Sequence, residues 1–73
     1  MLFQLLQLVA LVRDLPANRL RKGDLGAIVH IYEPDGLEVE FVRASDKAQA
    51  VVTLNVEDVR TLDDADVIAV RRI

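Results

Sequence analysis

The sequence predicts an all-β fold, a small and strongly curved antiparallel barrel of five or six short strands, on three observations. Two glycines three apart, Gly23 and Gly26, open directly into the β-branched run Ala27-Ile28-Val29-His30-Ile31-Tyr32. Glu33-Pro34-Asp35-Gly36 then makes a turn, with Pro34 presetting φ and Gly36 free to be left-handed. Beyond that turn, residues 37–42 and 48–54 both alternate with the period of two that marks a half-buried strand.

Each element follows in chain order. Leu2, Leu5, Leu6, Val9 and Val12 fit a helical face as well as a strand, so periodicity leaves open whether residues 2–7 are helical or extended. The Pro16 stop and the cluster Val9-Ala10-Leu11-Val12 favour a short turn followed by a first strand over residues 8–14. Residues 15–22 read as a long, basic surface loop, because Pro16 lacks the amide hydrogen that a central strand needs. Gly23-Asp24-Leu25-Gly26 is the turn that feeds the second strand, residues 27–32, with glycine tolerating positive φ or close backbone approach. In the third strand Leu37, Val39 and Phe41 point inward and Glu38 and Glu40 into water; in the fourth, Ala48, Ala50, Val52 and Leu54 share one side. Asn55 caps one 3-10 helical turn at Val56-Glu57-Asp58 before a fifth strand at residues 59–62. Asp63, Asp64 and Asp66 form a solvated acidic turn, and residues 67–73 are a final strand that either closes the barrel or pairs with another chain.

Composition bounds the function. The 73 residues make one domain, whose single core supplies on the order of 3–5 kcal/mol. The absence of cysteine removes disulfide staples and thiolate metal sites and points to a reducing cytoplasm. The apolar start is interrupted by Gln4 and Gln7 and is too short to span a bilayer, so no membrane partner is expected. A net charge of −3, from 12 acidic and 9 basic residues, disfavours neutralisation of a row of phosphates.

The run Lys22-Gly23-Asp24-x-Gly26-x-Ile28-Val29-x-Ile31-Tyr32, followed by Glu38-Val39-Glu40-Phe41 and Thr53-Leu54, resembles a family of small uncharacterised bacterial proteins described only as a domain of unknown function. Val9-Ala10-Leu11 and Asp14-Leu15-Pro16 look like the same family's first strand and loop, so the resemblance covers nearly the whole chain. It implies an SH3-like barrel and no activity. The glycine pattern is also similar to the KOW motif of ribosomal and transcription-factor domains, which implies nucleic-acid binding. Such glycines are a geometric demand shared by small barrels with unrelated roles.

A catalytic constellation is missing. One histidine and no cysteine exclude Cys-His nucleophilic catalysis and His/Cys metal ligation within one chain, and the acidic turn lacks the glycine bend and distant glutamate of a calcium loop. No cofactor, metal or small-molecule substrate is therefore expected. His30 is placed on one strand face with Ile28 and Tyr32, without deciding which face is buried.

Binding fares better. Arg13, Arg19, Arg21 and Lys22 gather four of the nine basic residues around the first loop, and with His30 and Tyr32 they are the candidate partner-binding residues. Leu2, Phe3, Val67, Ile68 and Val70 supply more apolar surface than a minimal barrel needs and are the candidates for self-association. The sequence thus reads as a non-catalytic protein-interaction or self-associating module. A KOW-like nucleic-acid-binding domain using the basic loop is the alternative.

Overall fold

The computed structural model describes residues 3–42 and 49–62. It is all-β: five antiparallel strands lie in one sheet in the order β4-β3-β2-β1-β5, where β1 is Leu8–Leu11, β2 Leu25–Tyr32, β3 Gly36–Val42, β4 Gln49–Asn55 and β5 Val59–Thr61. The 3-10 turn expected before the fifth strand is present at Val56–Asp58. The sixth strand expected at residues 67–73 lies outside the described residues.

Among the described residues the barrel does not close. Hydrogen-bonded ladders join β4 to β3, β3 to β2, β2 to β1 and β1 to β5, which leaves β4 and β5 as the two edges. Strong curvature is nonetheless required. Four chain steps separate Asn55 from Val59 and span at most about 15 Å, whereas the outer strands of a flat five-stranded sheet stand roughly 19 Å apart. The short connection Val56–Asp58 therefore holds the sheet curled.

Alternation packs the concave side. Leu37, Val39 and Phe41 are buried as their spacing demands, and Ala50, Val52 and Leu54 of β4 face the same way. Leu37, Val39, Phe41 and Leu54 meet Val9, Leu11, Leu15, Leu20, Ile28 and Val59 in one apolar cluster, against which Val52 packs, and no described polar side chain is buried. Phe3, expected above to serve self-association, is partly buried and packs against this cluster.

Several boundaries move for physical reasons. Residues 4–7 form a closed turn, in which the Gln4 amide donates to Gln7 Oε1 (3.0 Å) and the Gln7 amide to the Gln4 carbonyl (3.2 Å), so they are neither helix nor strand. β1 stops at Leu11 rather than Asp14: the Val12 amide still donates to the Asp58 carbonyl in the β1–β5 register, but the Leu11 carbonyl accepts from Gly23 in the turn before β2. The long first loop is not an open surface loop. Leu15 and Leu20 are buried and exchange both backbone hydrogen bonds (2.9 and 3.1 Å), closing a small lobe around a 3-10 turn at Pro16–Asn18 and a left-handed Arg19.

The two reasons for glycine separate cleanly between Gly23 and Gly26. Gly23 has φ of +93° and open space around it, so it serves the turn. Gly26 lies inside β2, which starts at Leu25, two residues before the start expected from sequence, and an added Cβ would fall 2.7 Å from Val39 Cγ1. Gly36 has no positive φ, contrary to expectation; the three-residue turn instead runs through a cis Glu33–Pro34 peptide.

Candidate functional site

The candidate binding residues fall into two groups at opposite ends of β2. Lys22 and the arginine lobe precede its first residue, and His30 and Tyr32 close its far end. Eight strand residues at about 3.3 Å each put roughly 20 Å between them. One small ligand does not span that.

At the far end a β-bulge decides orientation. Ile28 pairs with Val39 and His30 with Glu38, so Val29 is the extra residue opposing none. The bulge breaks the expected alternation: Ile28 is buried, while Val29, His30 and Tyr32 are exposed and Ile31 returns to the core side. His30 and Ile28 therefore do not share a face. The His30 and Tyr32 rings stack at a centroid distance of 4.4 Å, tilted by 54°. Partial desolvation and the neighbouring Glu38 carboxylate, which accepts the phenol's hydrogen bond, push the Tyr32 pKa above the usual tyrosine range.

At the near end, Asp14, Pro16, Arg19, Leu20 and Arg21 line a shallow groove of about 450 Å³. The lobe is held by its backbone: the Lys22 amide donates to Asp14 Oδ1 (2.8 Å) and the Arg21 amide to Asp24 Oδ2 (2.9 Å). The side chains of Arg19, Arg21 and Lys22 make no ion pair among the described residues.

Arg13 is different. Its Nε donates to Asp58 Oδ1 at 2.9 Å, tying the end of β1 to the Val56–Asp58 turn. Asp58 Oδ2 accepts the Asn55 amide at 2.9 Å, as one arm of a capping box. The hydrogen bond from Arg13 chiefly holds the Asp58 carboxyl below its ordinary range, aided by the Asn55 amide and the arginine charge and opposed by partial burial. Asp58 was not among the candidates, since nothing in a sequence joins positions so far apart.

This pair makes stability depend on pH. A depressed folded pKa gives stability that is present above the unfolded value near 3.9 and is lost as pH falls through the folded pKa. Asp58→Asn is expected to lower the melting temperature by about 4 °C at pH 7, the scale of a partly exposed ion pair in a domain this small. Melting curves at descending pH check it. The gap from the parent should shrink below about pH 4, and a gap that stays constant would refute the pairing.

The convex side of the sheet adds residues that the candidate list missed. Leu8 pairs with Ala27, Ala27 with Glu40 and Glu40 with Val51, so these four form a row across β1, β2, β3 and β4 on the outward face. Leu8 is 54% exposed, Val51 55% and the neighbouring Val42 58%. The alternation of β3 and β4 already carried that signal, since Val42 and Val51 occupy outward positions in it. Of the self-association candidates other than Phe3, Leu2, Val67, Ile68 and Val70 lie outside the described residues.

Among the described residues no three His, Cys, Asp or Glu side chains are placed to hold a metal ion, and no helix is long and apolar enough to cross a membrane. The class is that of a small all-β protein built on one curled antiparallel sheet. Within that class, the chain belongs to the family described as a domain of unknown function, DUF4926, whose model matches residues 5–61. No curated protein and no solved structure matches the chain.

Proposed function

We propose that this protein is a small, non-catalytic interaction module of the reducing cytoplasm that receives a protein strand, from a second copy or another chain, along β4. The observation that carries this reading is the β4 edge. Among the described residues β4 forms a ladder with β3 alone, and its outward positions Val51 and Thr53 are exposed. An unpaired edge flanked by apolar side chains is a template for strand addition, in which backbone hydrogen bonds supply affinity and side chains supply selectivity.

Thr53→Lys tests it. Thr53 pairs with Glu38, so lysine there places opposite charges across the strands and spares the fold, while charging the edge. Sedimentation of the parent is expected to show association that rises with concentration and that the variant weakens about tenfold, a change of roughly 1.4 kcal/mol. A parent that is monomeric at every concentration removes self-association. A variant that associates like the parent removes the β4 edge.

The second reading, a KOW-like nucleic-acid binder, is favoured by the backbone-held lobe presenting Arg19, Arg21 and Lys22. It ranks lower because three cations stand against a net charge of −3. Retention on RNA or DNA at low salt, lost at high salt, would reverse that ranking.

A further inference from the structure

The β4 edge resolves into individual backbone groups. In an antiparallel ladder, directly opposed residues alternate between pairs that exchange both hydrogen bonds and pairs whose amides and carbonyls turn away from the partner strand. The Val56 amide donates to the Asp35 carbonyl at 2.9 Å, and these two residues continue the β3–β4 register one step beyond Gly36 and Asn55. That bond sets the phase. Leu37 with Leu54, Val39 with Val52 and Phe41 with Ala50 are the bonded pairs, so the backbone groups of Gln49, Val51, Thr53 and Asn55 turn to the open edge. Those of Val51 and Thr53 meet no other backbone group among the described residues.

One end of this edge is blocked. The Asn55 amide is taken by Asp58 Oδ2 at 2.9 Å. An incoming strand therefore finds donor and acceptor together only at residues 49, 51 and 53, which are symmetric about Val51. Two copies of β4 laid antiparallel with Val51 opposite Val51 join 49 to 53, 51 to 51 and 53 to 49, and draw nothing from Asn55. Centring the pair on Val52 or Thr53 would need the occupied Asn55 amide, and centring it on Ala50 would set Thr53 opposite residue 47, beyond the end of β4.

The side chains agree with that register. Residues 49–55 carry no charge, so no like charges oppose one another across the junction. Val51, 55% exposed, covers its own counterpart. Glu40 is the neighbour of Val51 in each copy, which puts the two Glu40 backbones three strand spacings apart, roughly 14 Å. That exceeds a Debye length of about 8 Å at physiological salt, so their repulsion is largely screened.

Building on the strand-addition reading of β4, we infer that its occupant is a second copy of this chain, paired antiparallel about a two-fold axis at Val51. The five-stranded sheets join into one of ten strands, and the outward row Leu8, Ala27, Glu40 and Val51 runs on through its symmetry mate.

The chain has no cysteine, so introduced thiols report without background. In this register Ala50 faces Val52 of the other copy as a non-bonded pair, with Cα atoms about 4.5 Å apart and within reach of a disulfide. Ala50→Cys and Val52→Cys are made in full chains, one of them tagged to differ in mass, and oxidised mildly alone and mixed. The expected result on a non-reducing gel is a linked heterodimer in the mixture, with neither variant linking to itself. Val51→Cys, which leaves the core untouched, should link to itself, whereas Leu8→Cys, as exposed on the same face, should not.

Homodimers of Ala50→Cys or Val52→Cys would mean another axis or a parallel pair, linking at Leu8 as fast as at Val51 would mean chance collision, and no linking anywhere would mean that no copy docks this way; each overturns the inference. Thr53→Lys separates it from the reading it rests on. If that variant weakens sedimentation-measured association while the thiols fail to link as expected, β4 still receives a strand and only the inference falls. If Thr53→Lys leaves association unchanged, the β4 reading falls and takes the inference with it.

Discussion

Gly26→Ala is expected to remove most of the domain's stability. The added Cβ would sit 2.7 Å from Val39 Cγ1, 2.8 Å from Phe41 Cδ1 and 2.9 Å from the Glu40 carbonyl oxygen. Val39 and Phe41 are fully buried core side chains, so neither can swing out without giving up its place in the apolar cluster. The carbonyl belongs to the β2–β3 ladder, where Gly26 faces Phe41, and it cannot move without loosening that pairing. Overpacking of this kind costs about 1–3 kcal/mol, and a backbone neighbour places this site at the upper end. A single core of this size supplies roughly 3–5 kcal/mol in all. Gly23→Ala provides the contrast, because its Cβ meets nothing and only the left-handed backbone costs, about 1 kcal/mol. Urea midpoints followed by circular dichroism rank the two. If alanine at position 26 is tolerated as well as at position 23, close approach is not why glycine stands there.

Phe41→Ala is the second large effect. Phe41 is the largest fully buried side chain among the described residues, 1% exposed, and sits on the strand bonded to both β2 and β4. Truncating a buried phenylalanine costs about 3–5 kcal/mol, from lost transfer energy plus the cavity left behind. That equals the whole margin of the domain, so no cooperative thermal transition should remain. Phe41→Leu keeps most of the apolar volume, costs about 1.5 kcal/mol and should melt cooperatively at a lower temperature. A normal melt for the alanine variant would mean that the concave cluster is not what holds the sheet together.

The contrast between what was legible and what was not follows the range of each interaction. Local signals carried far: the Pro34-containing turn, the alternation that buries Leu37, Val39 and Phe41, and the Asn55 start of the Val56–Asp58 turn all depend on neighbours within a few positions. Val29 marks where this failed. One extra residue in β2 turned His30 away from the face of Ile28, and nothing in the run from Ala27 to Tyr32 distinguishes a bulged strand from a regular one. The lobe of residues 15–22 looked solvated because its arginines and lysine dominate its composition, yet Leu15 and Leu20 anchor it in the core. The Arg13–Asp58 pair, the open edges and the outward row Leu8, Ala27, Glu40 and Val51 are products of register between distant strands. Pattern within a strand predicts which way a side chain points, but not which one stands beside it.

The turn at Val56–Asp58 also defines how the molecule resists deformation. Among the described residues no ladder joins β4 to β5, so the curl is held by the Val56–Asp58 connection, whose ends are tied down by the Val56 amide to the Asp35 carbonyl, the Val12 amide to the Asp58 carbonyl, and Arg13 to the Asp58 carboxylate. In mechanical terms the protein is a bent strip with a latch, not a hoop. Flattening it would release those three fastenings and, because the connection from Asn55 to Val59 reaches at most about 15 Å, would also unpair Asn55 from Gly36 or Val59 from Leu11 before the concave side opened.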